Sequence, residues 1–151
     1  MYNPIDGVDT KQFEGLRLKR YTDSRGYATI GYGHNLEGGN DANLGQLGLD
    51  SNVEYLTQQQ ADKLFNLDYS DAEDSAKTIF PNLEDYPDLV QAVLTDLVFN
   101  MGLHTFKSFM RTIEAFKEGD WHKAADDLKQ SDWYEETGDR AKTICNALSS
   151  M

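Results

Sequence analysis

Glu14-Gly15-Leu16-Arg17-Leu18-Lys19-Arg20-Tyr21-Thr22-Asp23-Ser24-Arg25-Gly26-Tyr27-Ala28-Thr29-Ile30-Gly31-Tyr32-Gly33-His34 sets two carboxylates, a threonine and a histidine within twenty-one positions. The spacing predicts a helix that stops near Gly15, because glycine readily adopts the left-handed conformation that closes a helix. Beyond it, Arg17, Lys19 and Tyr21 alternate with Leu16, Leu18 and Arg20, which predicts a strand with one wet face. Asp23-Ser24-Arg25-Gly26 reads as a turn in which Gly26 takes positive φ. Residues 27–30 are aromatic and β-branched in character and form the expected return strand.

A carboxylate at a helix end and another at a hairpin turn can face each other across the floor of a cleft. Glycoside hydrolysis needs two carboxyl groups flanking one bond. One is protonated and serves the leaving oxygen, while the other is ionised and orients or deprotonates water. The Thr29 hydroxyl, both donor and acceptor, is suited to hold that water.

The pattern Glu-x8-Asp-x5-Thr, closed by Ile30-Gly31-Tyr32-Gly33-His34, resembles the catalytic signature of the bacteriophage-type lysozymes, glycoside hydrolase family 24. Trp121 with Leu128, Trp133-Tyr134 with Thr137, and Arg140-Ala141-Lys142 extend the resemblance over most of the chain. It implies an α+β, lysozyme-like fold: a small lobe with a short antiparallel sheet, joined by a long helix to a helical C-terminal lobe. The expected boundaries are about 14–56 for the small lobe, 57–80 for the linking helix, and 81–151 with the N-terminal helix for the helical lobe. The resemblance further implies Glu14 as general acid, Asp23 as partner carboxylate and Thr29 as the residue that positions water. The implied reaction cleaves, with inversion, the β-1,4 bond between N-acetylmuramic acid and N-acetylglucosamine. By the same alignment Asn35, Phe99, Thr112 and Asp127 fall at substrate contacts. Asp127 stands where an amide is expected and Thr112 where a serine is. His34 and Asp68 are implied as a structural ion pair, and Arg140 as a cation lining the cleft near the catalytic glutamate. The implied setting is synthesis in an infected bacterium and action on the periplasmic wall during host lysis, after a separate protein permeabilises the membrane. A monomer without cofactor or metal is expected.

Composition bounds these readings. At 151 residues, with 39% hydrophobic and 26% charged residues, the chain is long enough for one globular domain with a core that needs no staples. A single cysteine, Cys145, rules out an internal disulfide and reads as a small buried apolar residue. No basic-then-apolar leader and no run long enough to span a membrane is evident. The net charge of −12 argues against nucleic acid, whose binding depends on Lys and Arg neutralising phosphates. Against an anionic wall this charge is awkward. Either it only keeps the surface soluble, or it fits the protein to salty surroundings, where the screening length falls from about 8 Å to about 3 Å.

Asp6 or Asp9 is expected to cap the first helix. Residues 35–52, rich in Gly, Asn and Asp and including Gly38-Gly39-Asn40-Asp41, read as a surface excursion with at most one weak helical turn. Thr57-Gln58-Gln59-Gln60 has the form of a capping box and opens a long helix that Pro81 stops. Ala61, Leu64, Phe65, Asp68, Ala72 and Ile79 share its apolar side. Asp68 is an acid among apolar neighbours and needs a partner, for which His34 is the candidate. Pro87 opens a helix whose wide apolar face predicts near-complete burial. Phe106, Phe109, Met110, Ile113 and Phe116 mark a further amphipathic helix ended by Gly119. Asp120 caps the next, with Trp121 in the core, and Ser131 or Asp132 caps a short turn. The last helix starts at Gly138-Asp139 and carries the stripe Ala141, Ile144, Cys145 and Leu148. Two further readings stand beside hydrolysis: a lytic transglycosylase, which needs no activated water, and a non-catalytic glycan-binding protein on the same scaffold.

Overall fold

The computed structural model describes residues 2–38 and 41–151. Its architecture is α+β. One antiparallel sheet, ordered β1-β2-β3, lies in the first third of the chain, and helices make up most of the remainder. Two compact units are present, Thr10–Asp71, and Met1–Asp9 with Ala72–Met151.

In the unit Thr10–Asp71, helix α1 (Thr10–Glu14) ends at Gly15, whose φ of 70° is the left-handed stop that the sequence predicts. β1 (Arg17–Thr22) pairs with β2 (Ala28–Gly31), and β2 pairs with β3 (His34–Asn35). The hairpin turn is held by the Asp23 side chain. Its Oδ1 accepts from the backbone N–H groups of Arg25 and Tyr27, both at 2.9 Å. The expectation of one wet and one dry face on β1 fails. Leu16 and Leu18 are exposed as well as Arg17 and Lys19, because the core of this unit gathers on β2 and beyond rather than on β1.

That core consists of Ile30, Leu36, Leu44, Leu56, Ala61 and Leu64. Leu36 and Leu44 come from the segment expected to be a surface excursion, so that reading is corrected. Asp41 caps α2 (Ala42–Gln46) by accepting from the Leu44 N–H, and the short helix turns Leu44 fully inward. Gly39 and Asn40 of the same expectation lie outside the described residues. The capping box forms as expected. Thr57 N–H donates to Gln60 Oε1 at 2.9 Å, and Gln60 N–H to Thr57 Oγ1 at 3.1 Å, opening α3 (Gln58–Ile79). Toward the end of α3 the buried position is Ala76 rather than the expected Ile79.

In the second unit, α4 (Asp88–Met101) is engulfed. Leu89, Val90 and every residue from Ala92 to Val98 are buried. The single helix expected over residues 106–116 is two, α5 (Leu103–Lys107) and α6 (Met110–Lys117). Ser108 Oγ donates to the Thr105 carbonyl at 2.6 Å and Phe109 sits at ψ 58°, outside helical space, so the ladder breaks there. The break turns Met110 out to solvent. Asp120 caps α7 (Trp121–Lys129), Ser131 caps α8 (Asp132–Thr137), and α9 (Asp139–Ser149) buries Ala141, Ile144, Cys145 and Leu148. Trp121 is half-buried, its ring 6.0 Å from Tyr86 and 6.3 Å from Phe116. Burial pushes the Cys145 thiol up to about 11, which leaves it protonated and unreactive near neutral pH.

Asp96 on α4 is fully buried and takes two bonds from Arg140 on α9, from Nε at 3.0 Å and from Nη2 at 2.8 Å. Removing one member of such a pair strands the other charge away from water. Asp96→Ala is therefore expected to lower the unfolding free energy by about 3–5 kcal/mol, read from urea denaturation.

Candidate active site

Glu14 is the last residue of α1, Asp23 opens the hairpin turn, and Thr29 lies in the middle of β2. Tyr21 connects the three. Its Cα partner across the β1–β2 ladder is Thr29. Directly paired residues of an antiparallel ladder project to the same face. The Tyr21 phenol has its pKa raised by burial, then by the negative charge of Glu14, with Arg17 opposing and Asp23 adding to the rise. Both carboxylates thus lie within electrostatic reach of one ring on the sheet face shared with Thr29.

Each group is fixed by the backbone beside it. Asp23 Oδ1 is occupied by the two turn N–H groups, while Oδ2 has no hydrogen-bond partner among the described residues. Thr29 is buried and its Oγ1 donates to the Tyr27 carbonyl at 2.9 Å, which commits its hydrogen and leaves its lone pairs to accept. Gly33 has φ 71°, and a Cβ built there would collide with Glu14 Oε1. The Gly33 backbone therefore lies directly against the Glu14 carboxyl. Only a residue without a side chain permits that approach.

His34 follows directly. Its Nδ1 is 2.6 Å from Asp68 Oδ2 and its Nε2 is 2.5 Å from Asp41 Oδ2. Asn43 donates to Asp68 Oδ1 and to Asp71 Oδ2, each at 2.8 Å. Burial alone would lower the pKa of the imidazole. The hydrogen bonds and charges of Asp68 and then Asp41 outweigh it and raise the value from 6.5 to about 9. The pairing of His34 with Asp68 was readable from an acid on an apolar helix face. Asp41 was missed, because in the sequence it stands in a glycine-rich stretch that reads as loop. Asn35, on β3, lies opposite Thr29, and its Oδ1 accepts from the Glu37 N–H at 2.7 Å.

Phe99, Thr112, Asp127 and Arg140 belong to the other unit. Phe99 is half-buried near the end of α4. Arg140, which the sequence reads as a cleft-lining cation, is buried against Asp96. The same sign that exposed Asp68, an acid inside an apolar helix, would have flagged Asp96. Thr112 and Asp127 line a cavity of about 480 Å³ together with Ser108, Phe109, Arg111 and Gln130. Asp127 Oδ2 is itself buried and has no hydrogen-bond partner among the described residues.

The phage lysozyme family model matches residues 11–147. The chain is 26% identical to "Probable T4-type lysozyme 1" of Dictyostelium discoideum, over 93% of this chain and 91% of that protein. It is 30% identical to "Pre-baseplate central spike protein Gp5" of Enterobacteria phage T4, over 87% of this chain and 25% of that protein. It is 28% identical to "Peptidoglycan hydrolase gp36" of Pseudomonas phage phiKMV, over 91% of this chain and 14% of that protein.

Two outcomes are expected. The folded pKa of His34 lies above its unfolded value, so its contribution is complete below pH 6.5 and is lost as pH rises from there through about 9. Its size is on the order of 3 kcal/mol. Urea titrations between those pH values should show this loss, and His34→Asn should flatten it. Gly33→Ala should cost about 1–2 kcal/mol for positive φ and, by displacing Glu14, should lower turnover far more than that loss of stability explains. Comparing kcat with the unfolding midpoint at one temperature checks this.

Proposed function

The chain belongs to the phage lysozyme family and is a glycoside hydrolase with the family's lysozyme-like α+β fold, and from that premise we propose that it is a muramidase. Its substrate is peptidoglycan, and the bond cut is the β-1,4 linkage between N-acetylmuramic acid and N-acetylglucosamine. Glu14 gives a proton to the leaving glycosidic oxygen. Asp23 stabilises positive charge developing on the sugar ring and takes a proton from water. The water adds to the anomeric carbon as the carbon–oxygen bond breaks. Thr29, its own hydrogen committed to Tyr27, accepts from that water and aims it. Attack on the face opposite the leaving group inverts the anomeric centre. The phage phiKMV relative's name, a peptidoglycan hydrolase, agrees with this substrate, and host lysis is the role we propose.

The observation that carries the reading is the Tyr21 ring, which feels both carboxylates and pairs in register with Thr29. Asn35, Phe99, and the cavity holding Thr112 and Asp127 are the proposed substrate contacts. Asp127 can only accept, so it selects a sugar or peptide N–H or O–H. Lytic transglycosylation is the alternative. An Asp23 oxygen left unpartnered and a Thr29 hydroxyl poised to accept both favour a reaction that uses water.

Glu14→Gln should reduce release of reducing ends from purified sacculi by about 10²–10⁴-fold, with the circular dichroism spectrum retained. Sustained release would remove Glu14 from the mechanism. In the wild-type digest, mass spectrometry should find hydrated reducing ends, and 1,6-anhydro ends would identify a transglycosylase.

A further inference from the structure

The strand that carries Tyr21 also carries a charge pattern opposed to that of the whole chain. Residues 16–27 hold four bases, Arg17, Lys19, Arg20 and Arg25, against one acid, Asp23, in a protein of net charge −12. Arg20 is used inside the fold, where Nη1 donates to the carbonyls of Ser51 at 2.6 Å and Val53 at 3.3 Å. Arg17, Lys19 and Arg25 are exposed.

The exposed cations are interleaved with rings. β1 is irregular between Arg17 and Tyr21, where its register against β2 shifts, so contacts rather than strict alternation place these side chains. The Arg17 guanidinium lies over the Tyr21 ring at 4.1 Å, and the Lys19 ammonium lies 5.9 Å from the Tyr55 ring. A backbone bridge between Lys19 and Tyr55 sets that ring beside the strand. Tyr55 is 64% exposed, a large ring left in water with no packing role that would need it.

We propose that this face, Arg17, Lys19 and Tyr55 with Arg25 at the hairpin tip, is a docking surface for the carboxylate-bearing glycan of the cell wall, beyond the linkage that is cut. The choice of polymer rests on the muramidase reading. Charge complementarity favours it. A chain of net charge −12 is repelled by an anionic wall unless a local basic face meets it first, and at low ionic strength such a face also orients the encounter. The rings suit sugar, whose C–H faces pack on aromatic faces, and the cations suit acidic groups that recur along a glycan. The basic face also supplies a local answer to the awkward overall acidity.

The test uses full-length protein with Glu14→Gln, so that binding is read without hydrolysis, and sacculi stripped of phosphate-bearing polymers. Co-sedimentation at about 50 mM salt should show Lys19→Gln/Arg25→Gln retained about fivefold less than its parent. At about 500 mM salt the difference should vanish, because exposed charges are then screened. Tyr55→Ala should lose retention at both salt concentrations. Amidating the wall carboxylates should bring the parent down to the level of the double variant. With Glu14 intact, the same substitutions should raise KM for sacculi and leave kcat unchanged. Unchanged retention of both variants would overturn the proposal, as would full retention of the parent on amidated sacculi. The two readings fail separately. A wild type that binds sacculi through this face but releases no reducing ends would reject the muramidase and keep the docking surface.

Discussion

An imidazolium held between two carboxylates is the constraint on which the sheet-bearing unit depends. His34 touches Asp68 on α3 through one nitrogen and Asp41 at the head of α2 through the other. Three elements are thereby tied at one point, and Asn43 extends the tie to Asp71. Partly buried charges are costly unless paired, so any displacement of β3 would leave acids without their cation. Gly33, one residue before His34, is the position whose backbone meets the Glu14 carboxyl. A clamp on His34 is therefore also a clamp on the surface that orients Glu14.

The rest of the chemistry uses the same economy of short-range geometry. The Asp23 side chain is immobilised by the turn it closes, and Thr29 by the carbonyl of Tyr27 two residues earlier. Neither needs a distant partner to be held. The helical unit handles its polar groups differently. Asp96 and Arg140 satisfy each other within the core, and Trp133 Nε1 donates to Asn100 Oδ1 at 2.7 Å. Asp127, a residue of the cavity wall, retains a buried oxygen without a hydrogen-bond partner among the described residues. A group buried without a partner is a cost to stability, and sites for ligands are where such costs persist.

Features set by neighbours in sequence were legible in advance. The stop at Gly15, the Asp23–Gly26 turn, the capping box at Thr57 and the caps at Asp120 and Ser131 each depend on a few adjacent residues. The glycines of the signature were legible as a pattern, but the reason for Gly33 appears only once Glu14 is seen against it. Features set across the chain were harder. Leu44 looked like part of a polar excursion because glycines and amides surround it, yet the Asp41 cap turns it into the core. Periodicity carried a helix straight through Ser108-Phe109, where a side-chain hydroxyl takes over the carbonyl of Thr105. Arg140 was read as a cation near the site, but its pairing with Asp96 was not, because that partner lies forty-four positions away. The alternation read on β1 did not become two faces, because the strand is irregular between Arg17 and Tyr21 and its leucines have no core to meet.

In the proposed reaction Asp23 and Thr29 aim water at a linkage that Glu14 protonates. Digestion of sacculi in ¹⁸O-enriched water, followed from the first turnovers by NMR and mass spectrometry, tests it most directly. One labelled oxygen at the anomeric carbon of each new reducing end, formed first as the α anomer, is the predicted result. Unlabelled anhydro ends, or a product that appears first as the β anomer, would contradict it.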